Sequence, residues 1–163
     1  REKGYFALDW EAARNVPWGV LLLFGGGLAL AGGFKGTGLA EWIGSGVSGF
    51  DVSTWALVFI VTVAIVYLTE ITSNTASTAT FLPILGAVAV GLGLDPRMLA
   101  IPVALGASMA FMIPVATPPN AIVFSYEDMH LGDMVRAGFW LNIVAILVSF
   151  AAMYFLAPIV FGL

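Results

Sequence analysis

Residues Thr69 to Thr80, TEITSNTASTAT, concentrate the polar chemistry of an otherwise apolar chain. Nine of these twelve residues are polar, and seven are Ser or Thr. Hydroxyl and amide oxygens at this density suit a hard, weakly held cation, while O–H and N–H donors suit an anion. A second polar set, Thr117-Pro118-Pro119-Asn120, interrupts another apolar run. Two consecutive prolines remove two backbone donors and disfavour helix at the residue before them, so backbone carbonyls are freed there too. Helix N-termini at both breaks would add N–H groups and a positive dipole end.

Apolar stretches flank both sets: Trp55–Leu68 and Phe81–Leu94 the first, Met98–Ala116 and Ala121–Phe124 the second. The chain is 60% hydrophobic and 10% charged, with a mean hydropathy of +1.00, where soluble domains carry about a quarter charged residues. The polar sets therefore read as lying at membrane depth, where non-helical backbone persists only inside protein or along a wet cavity. Trp55–Leu68 has 14 residues, short of the ~20 that a helix needs to cross a bilayer. This predicts a re-entrant helical hairpin from Trp55 to about Leu94, with Ser73-Asn74-Thr75 at its tip.

The rest of the chain positions these breaks. Arg1–Pro17 reads as a polar loop ending in a short helical turn, with Trp10 beside charges as at a membrane interface. Trp18–Phe34 is an uncharged run of 17 residues, read as a spanning helix; its Gly25-Gly26-Gly27 lets another backbone approach. Lys35–Phe50 reads as a short amphipathic interfacial helix, with Leu39, Trp42, Ile43 and Val47 at helical spacing, then a Gly/Ser linker. Asp51-Val52-Ser53-Thr54 supplies cap residues. Pro83 falls early in the second arm of the hairpin, and Asp95-Pro96-Arg97 is a turn back to water. Met98–Ala116 reads as a helix broken at Thr117–Asn120. Ser125–Arg136 reads as a polar loop with a solvated His130. Gly138–Leu163, 26 residues without a charge, reads as a spanning helix whose Asn142 and Ser149 bond to neighbouring helices.

The expected fold is therefore an all-α polytopic membrane protein in three stretches of one membrane domain. Residues 1–50 hold the loop, a transmembrane helix and the interfacial helix, 51–94 the re-entrant hairpin, and 95–163 the broken and the C-terminal transmembrane helices. Lys and Arg number four on the side of the N-terminal segment and two on the other. This places the N-terminal end in the cytoplasm and the C-terminus across the cell membrane. A net charge of −4 without a basic cluster argues against nucleic acid. The lack of cysteine excludes disulfides and thiolate metal sites, and a single histidine argues against a Ser-His relay. The start at Arg1 reads as that of a piece of a longer protein.

No Arg or Lys occurs from Phe50 to Pro96 or from Met98 to Val135. An anion held there needs N–H and O–H donors and a co-bound cation, which predicts coupling to sodium. Broken helices meeting near the midplane are how many secondary transporters build such sites. Glu70 stands apart, since a carboxylate at the bilayer centre costs about 2.5–3.5 kcal/mol or more. It reads as a structural residue capped by Thr hydroxyls or paired to a basic group elsewhere, with proton carrier or cation ligand as alternatives.

Ser73-Asn74-Thr75 within TEITSNTASTATFLPI, the downstream ATPPNA from Ala116 to Ala121, and the opening LDWEAARNVPWGVLLLFGGGLALAGGF together resemble the C-terminal part of the divalent anion:sodium symporter family. The resemblance implies two inverted repeats, each with a hairpin and a broken helix, in a homodimer that moves substrate by an elevator mechanism. This chain shows one such set, so the N-terminal repeat is expected as a missing partner. The resemblance further implies that Ser73, Asn74, Thr75, Thr117 and Pro118 contact a substrate carboxylate. A sodium site would use Thr69, the Thr72 carbonyl, Asn74 and the Ala116 carbonyl.

The function expected is sodium-coupled transport of divalent anions, C4-dicarboxylates such as succinate, malate and fumarate first, with no enzyme activity and no cofactor besides the coupling ion. The alternative is a proton-coupled or uncoupled carrier or exchanger, of sulfate or citrate among others, on the same scaffold. A more distant one is a non-transporting membrane assembly module or an intramembrane hydrolase using Ser73.

Overall fold

The computed structural model describes residues 10–14, 16, 18–48 and 53–163. Among them every regular element is helical: α1 (Trp10–Arg14), α2 (Trp18–Gly36), α3 (Leu39–Ser48), α4 (Thr54–Ile71), α5 (Asn74–Gly91), α6 (Arg97–Gly106), α7 (Pro118–Phe124), α8 (Leu131–Ala151) and α9 (Ala157–Phe161), with one π-helical turn, Ala152–Leu156, joining the last two. Among the described residues three helical runs are long and apolar enough to cross a membrane: Thr54–Ile71, Asn74–Gly91 and Leu131–Phe161. The expectations for Arg1–Asp9, Pro17 and Asp51-Val52 lie outside the described residues.

Two boundaries differ from expectation. The first arm of the hairpin runs 18 residues instead of 14, because Thr69-Glu70-Ile71 continue the helix. Their polar groups bond to other elements, so the backbone has no reason to unwind. The arm is about 27 Å long, and its length no longer argues for re-entrance. The last helix begins at Leu131, not Gly138, and takes Asp133 and Arg136 into its first turns. Leu131–Phe161 has 31 residues, roughly 46 Å, which is longer than the ~30 Å hydrocarbon core. The π-helical turn has a local cause. Pro158 cannot donate to the Tyr154 carbonyl, and the ladder widens ahead of it.

The core lies where α4 packs on α6 and both meet α8, with the π-helical turn against α6. Val58, Ile65, Leu99, Val103, Ala107 and Met153 are all buried there. The Gly106 position is tight, for a Cβ would meet Ile65 Cγ2 at 3.3 Å and Val66 Cγ2 at 3.4 Å. Trp55, Phe59, Phe150 and Tyr154 fasten the start of α4 to the end of α8; the Trp55 and Tyr154 rings are 4.9 Å apart and those of Phe59 and Phe150 5.4 Å. The two arms of the hairpin touch little beyond their tip. α4 lies on α6 and α8, while α5 lies on α2, α3 and α6. In α3, Trp42 is exposed and Ile43 packs against the core.

Caps fix the ends of the elements. Ser53 Oγ accepts the Ala56 N–H at the start of α4. α5 stops at a left-handed Gly93 (φ 71°), with Leu94 N–H on the Ala89 carbonyl and Gly93 N–H on the Val90 carbonyl, a Schellman closure. The turn that follows is held by Asp95, whose Oδ1 accepts from Arg97 N–H and Nε–H and whose Oδ2 accepts from Nη2 at 2.7 Å. The Arg97 side-chain hydrogen bonds, then its backbone N–H, lower the Asp95 pKa to about 2.

Pro83 explains the closest helix contact. Its missing N–H leaves the Ala79 carbonyl without its helical donor. α2 meets α5 at this point: a Cβ on Gly27 would fall on that carbonyl oxygen and 3.2 Å from its carbon. Only glycine lets the α2 backbone come this near. Nothing lies within 4 Å of the Cβ positions of Gly25 and Gly26, so one glycine of the three carries the expected close approach. Gly27→Ala is predicted to cost about 1–3 kcal/mol and to lower the thermal unfolding midpoint of the full-length protein in detergent. Gly26→Ala is predicted to hold or raise it.

Candidate functional site

The site begins at the last turn of α4, where two successive side chains reach a non-helical segment. After Gly106 the chain leaves α6 and does not resume a helix until Pro118. The break is thus wider than Thr117–Asn120 and starts some ten residues earlier. Pro118 and Pro119 do not break a helix; they begin one, at the positions where a missing N–H is harmless.

Side chains satisfy the backbone of this unwound segment. Thr69, fully buried, donates its hydroxyl to the Ala107 carbonyl at 3.0 Å. Glu70, 4% exposed, accepts the Phe111 N–H at 2.7 Å and the Met112 N–H at 3.1 Å. Asn120 Nδ2 donates to the Ala110 carbonyl at 2.8 Å and the Ile113 carbonyl at 3.1 Å. From the other side, Asn142 Nδ2 donates to Glu70 Oε1 at 2.7 Å. Gly138, one turn before Asn142 on the same face of α8, makes room, since a Cβ there would collide with the Phe111 carbonyl.

The partners of Glu70 differ from those expected. Its recorded donors are two backbone N–H groups and an amide, not Thr hydroxyls or a basic group. The Thr hydroxyls bond elsewhere: Thr72 Oγ1 to the Leu68 carbonyl and to Ser77 Oγ, and Thr78 Oγ1 to the Asn74 carbonyl. Asn142 bonds to a neighbouring helix as expected, and Ser149 Oγ reaches Met109 Sδ at 3.8 Å.

The tip of the hairpin is two residues, Thr72 and Ser73, between α4 and α5. Ser73 is the N-cap of α5 and accepts the Ala76 N–H at 3.4 Å. The N–H groups of Asn74 and Thr75 at the first turn point away from the helix, as first-turn donors do. Thr69 and Asn74 meet across the tip, Thr69 Oγ1 lying 2.6 Å from Asn74 Oδ1, so that its one proton is shared between this oxygen and the Ala107 carbonyl. Thr72 and Ser73 face Ala116 across a half-open cavity of ≈ 530 Å³, also lined by Glu70, Ile71, Ile113 and Val115. Thr75 and Pro118 are exposed and do not line this cavity. Thr117 is the N-cap of α7 and accepts the Asn120 N–H at 3.3 Å.

The two N-termini are therefore unequal, contrary to expectation. In α7 two prolines carry no N–H, Asn120 N–H goes to Thr117 Oγ1, and Ala121 N–H goes to the Thr117 carbonyl. The first turn of α5 carries no proline, and the Asn74 and Thr75 N–H groups remain available there. Sequence reasoning missed Asn120 and Gly138, and it did not pair Asn142 with Glu70. The signal was present in part: Asn142 is an amide in an uncharged run, and Asn120 follows the prolines.

A family model described as the sodium:sulfate symporter transmembrane region matches residues 6–162. This chain belongs to the divalent anion:sodium symporter family. It is similar to the sodium-dependent dicarboxylate transporter SdcS of Staphylococcus saprophyticus subsp. saprophyticus, 45% identical over 100% of this chain and 32% of the relative. It is also similar to SdcS of Staphylococcus aureus strain MRSA252, 43% identical over 99% of this chain and 31% of the relative. The chain spans about a third of the length of these relatives. The family is one of symporters and not of enzymes.

Thr69→Val, which keeps shape and removes the hydroxyl, is predicted to leave the Ala107 carbonyl and Asn74 Oδ1 short of a donor. It should cost about 1–3 kcal/mol, measured as a lowered unfolding midpoint of the full-length protein. Thr69→Ser is predicted to keep most of that stability.

Proposed function

We propose that this chain is the C-terminal, substrate- and sodium-binding part of a sodium-coupled transporter of divalent anions, C4-dicarboxylates first among them. One observation carries the reading: a tip rich in neutral oxygens and free N–H groups faces an unwound segment across a cavity, and neither 50–96 nor 98–135 contains an Arg or Lys. Oxygen ligands of this kind hold sodium weakly. The sodium ion supplies the positive charge that a dicarboxylate needs and the side chains do not offer.

In this reading Thr69 and Asn74, already joined by a hydrogen bond, share a sodium ion with the carbonyls of Thr72 and Ala116, which line one cavity. Ser73, Asn74 and Thr75 receive a substrate carboxylate through the Ser73 and Thr75 hydroxyls, the Asn74 amide N–H and the first-turn N–H groups of α5. Thr117 and Pro118 approach it from the start of α7. Sodium binding replaces the Thr69–Asn74 hydrogen bond with two Na–O contacts, so the empty and loaded tips differ in shape. The preference for dicarboxylates is supported by the names of the staphylococcal relatives. The hairpin is re-entrant, the N-terminal repeat of the same protein completes the site, and homodimers carry out elevator-type movement in the cell membrane, with the N-terminal end of this chain cytoplasmic.

A proton-coupled carrier would need Glu70 to release and take up a proton. Its contacts are backbone and amide N–H donors, none of which is a group that could take a proton from it. Full-length protein in proteoliposomes is predicted to take up labelled succinate only with an inward sodium gradient, and sulfate is predicted not to compete. Asn74→Ala is predicted to abolish this uptake with the folded protein retained. Uptake indifferent to sodium would overturn the reading, and normal uptake by Asn74→Ala would overturn the site.

A further inference from the structure

We infer that Glu70 and Asn142 are positioning residues for ion and substrate: together they hold the unwound segment 107–117 at the distance from the hairpin tip that the cation site requires. The inference rests on the function proposed above and adds to it two residues that hold the backbone, Glu70 on the cavity wall and Asn142 behind it.

The geometry is that of a two-point grip. Thr69 fixes the start of the segment through the Ala107 carbonyl, and Glu70 fixes its middle through the Phe111 and Met112 N–H groups. These are adjacent residues on α4. Thr69 also bonds Asn74 at the tip, and the segment ends at Ala116, across the cavity from Thr72. The relative placement of Thr69, Thr72, Asn74 and Ala116 thus depends on where Glu70 holds Phe111 and Met112.

Asn142 holds Glu70 in turn. The amide orientation follows from chemistry, because turned over it would place Oδ1 against a carboxylate oxygen. In the observed orientation Asn142 is fully buried and its Oδ1 has no hydrogen-bond partner among the described residues. An unmet buried acceptor is destabilising, and a leucine of similar size would avoid it. A residue chosen for stability alone would not be an asparagine here. What it supplies is a donor, aimed at the one carboxylate that grips the segment.

The test uses full-length protein carrying Asn142→Leu or Asn142→Asp. The leucine variant removes the donor at similar volume. The aspartate variant keeps the shape and sets an acceptor against Glu70, so it remains informative where leucine does not fold. Amide hydrogen exchange over residues 107–117 reads the grip directly, in sodium-free detergent solution, without any assumption about transport. Succinate uptake against sodium concentration reads its consequence. Loss of an outer partner of an ion site typically weakens binding 10–100-fold. We expect faster exchange in the segment, a rise in half-saturating sodium of about tenfold or more, and a maximal rate within a few-fold of the parent.

A purely structural role would lower the amount of folded protein and leave half-saturating sodium unchanged. Unaltered exchange in a folded variant would overturn the inference. So would faster exchange with unaltered sodium dependence. Parent protein whose uptake ignores sodium would instead sink the transport reading, and the exchange data would still decide whether the grip exists.

Discussion

Eleven residues of non-helical backbone, 107–117, sit between two helices in a protein whose surroundings are apolar. Their N–H and C=O groups cannot all turn to water, and each unmet group is expensive. The rest of the structure depends on how that demand is met. Glu70, Thr69 and Asn120 meet it with side chains from either side of the segment, and Asn142 meets the carboxylate. A buried acid is itself costly when alone. Here its donors are the very backbone groups that need an acceptor, so two costs cancel.

This arrangement explains why the hairpin arms diverge. α4 must lie against α6 and α8 for Thr69 and Glu70 to reach the segment, and α5 must leave it to bring Pro83 and Ala79 to α2. Small residues permit both. Gly27 admits the carbonyl that Pro83 frees, and Gly138 admits the Phe111 backbone beside Asn142. The tip is held between the two divergent arms by Thr69–Asn74 and Thr72–Ser77. These are short, neutral contacts between oxygens that a small cation can take over.

Much of the helical order was legible in the apolar runs. The cap at Ser53 was legible as well, because a Ser before an apolar run offers an acceptor to the first turn, whereas Ser73 and Thr117 read as tip and break and prove to be caps. The two boundaries that differ have one cause. Polar residues such as Thr69, Glu70 and Asp133 read as loop in isolation, yet tertiary partners or a helix N-terminus let them continue a helix. The wide break was hidden because 107–116 contains no polar residue but Ser108. Pro114 is the one local breaker within it, and Glu70, which accepts two of its N–H groups, lies some 40 residues away. The family likeness was legible in the SNT and ATPPNA motifs, which mark the tip and the start of α7.

The central claim is that the hairpin tip and the unwound segment form one sodium-coupled anion site. The most direct measurement is an experimental structure of the full-length protein in lipid nanodiscs with sodium and succinate. The account predicts a cation-sized density among Thr69 Oγ1, the Thr72 carbonyl, Asn74 Oδ1 and the Ala116 carbonyl. It also predicts succinate at Ser73–Thr75 and the Glu70 carboxylate still on the Phe111 and Met112 N–H groups. Succinate or sodium bound away from the tip, with the space between Thr72 and Ala116 filled by lipid or side chains, would contradict it.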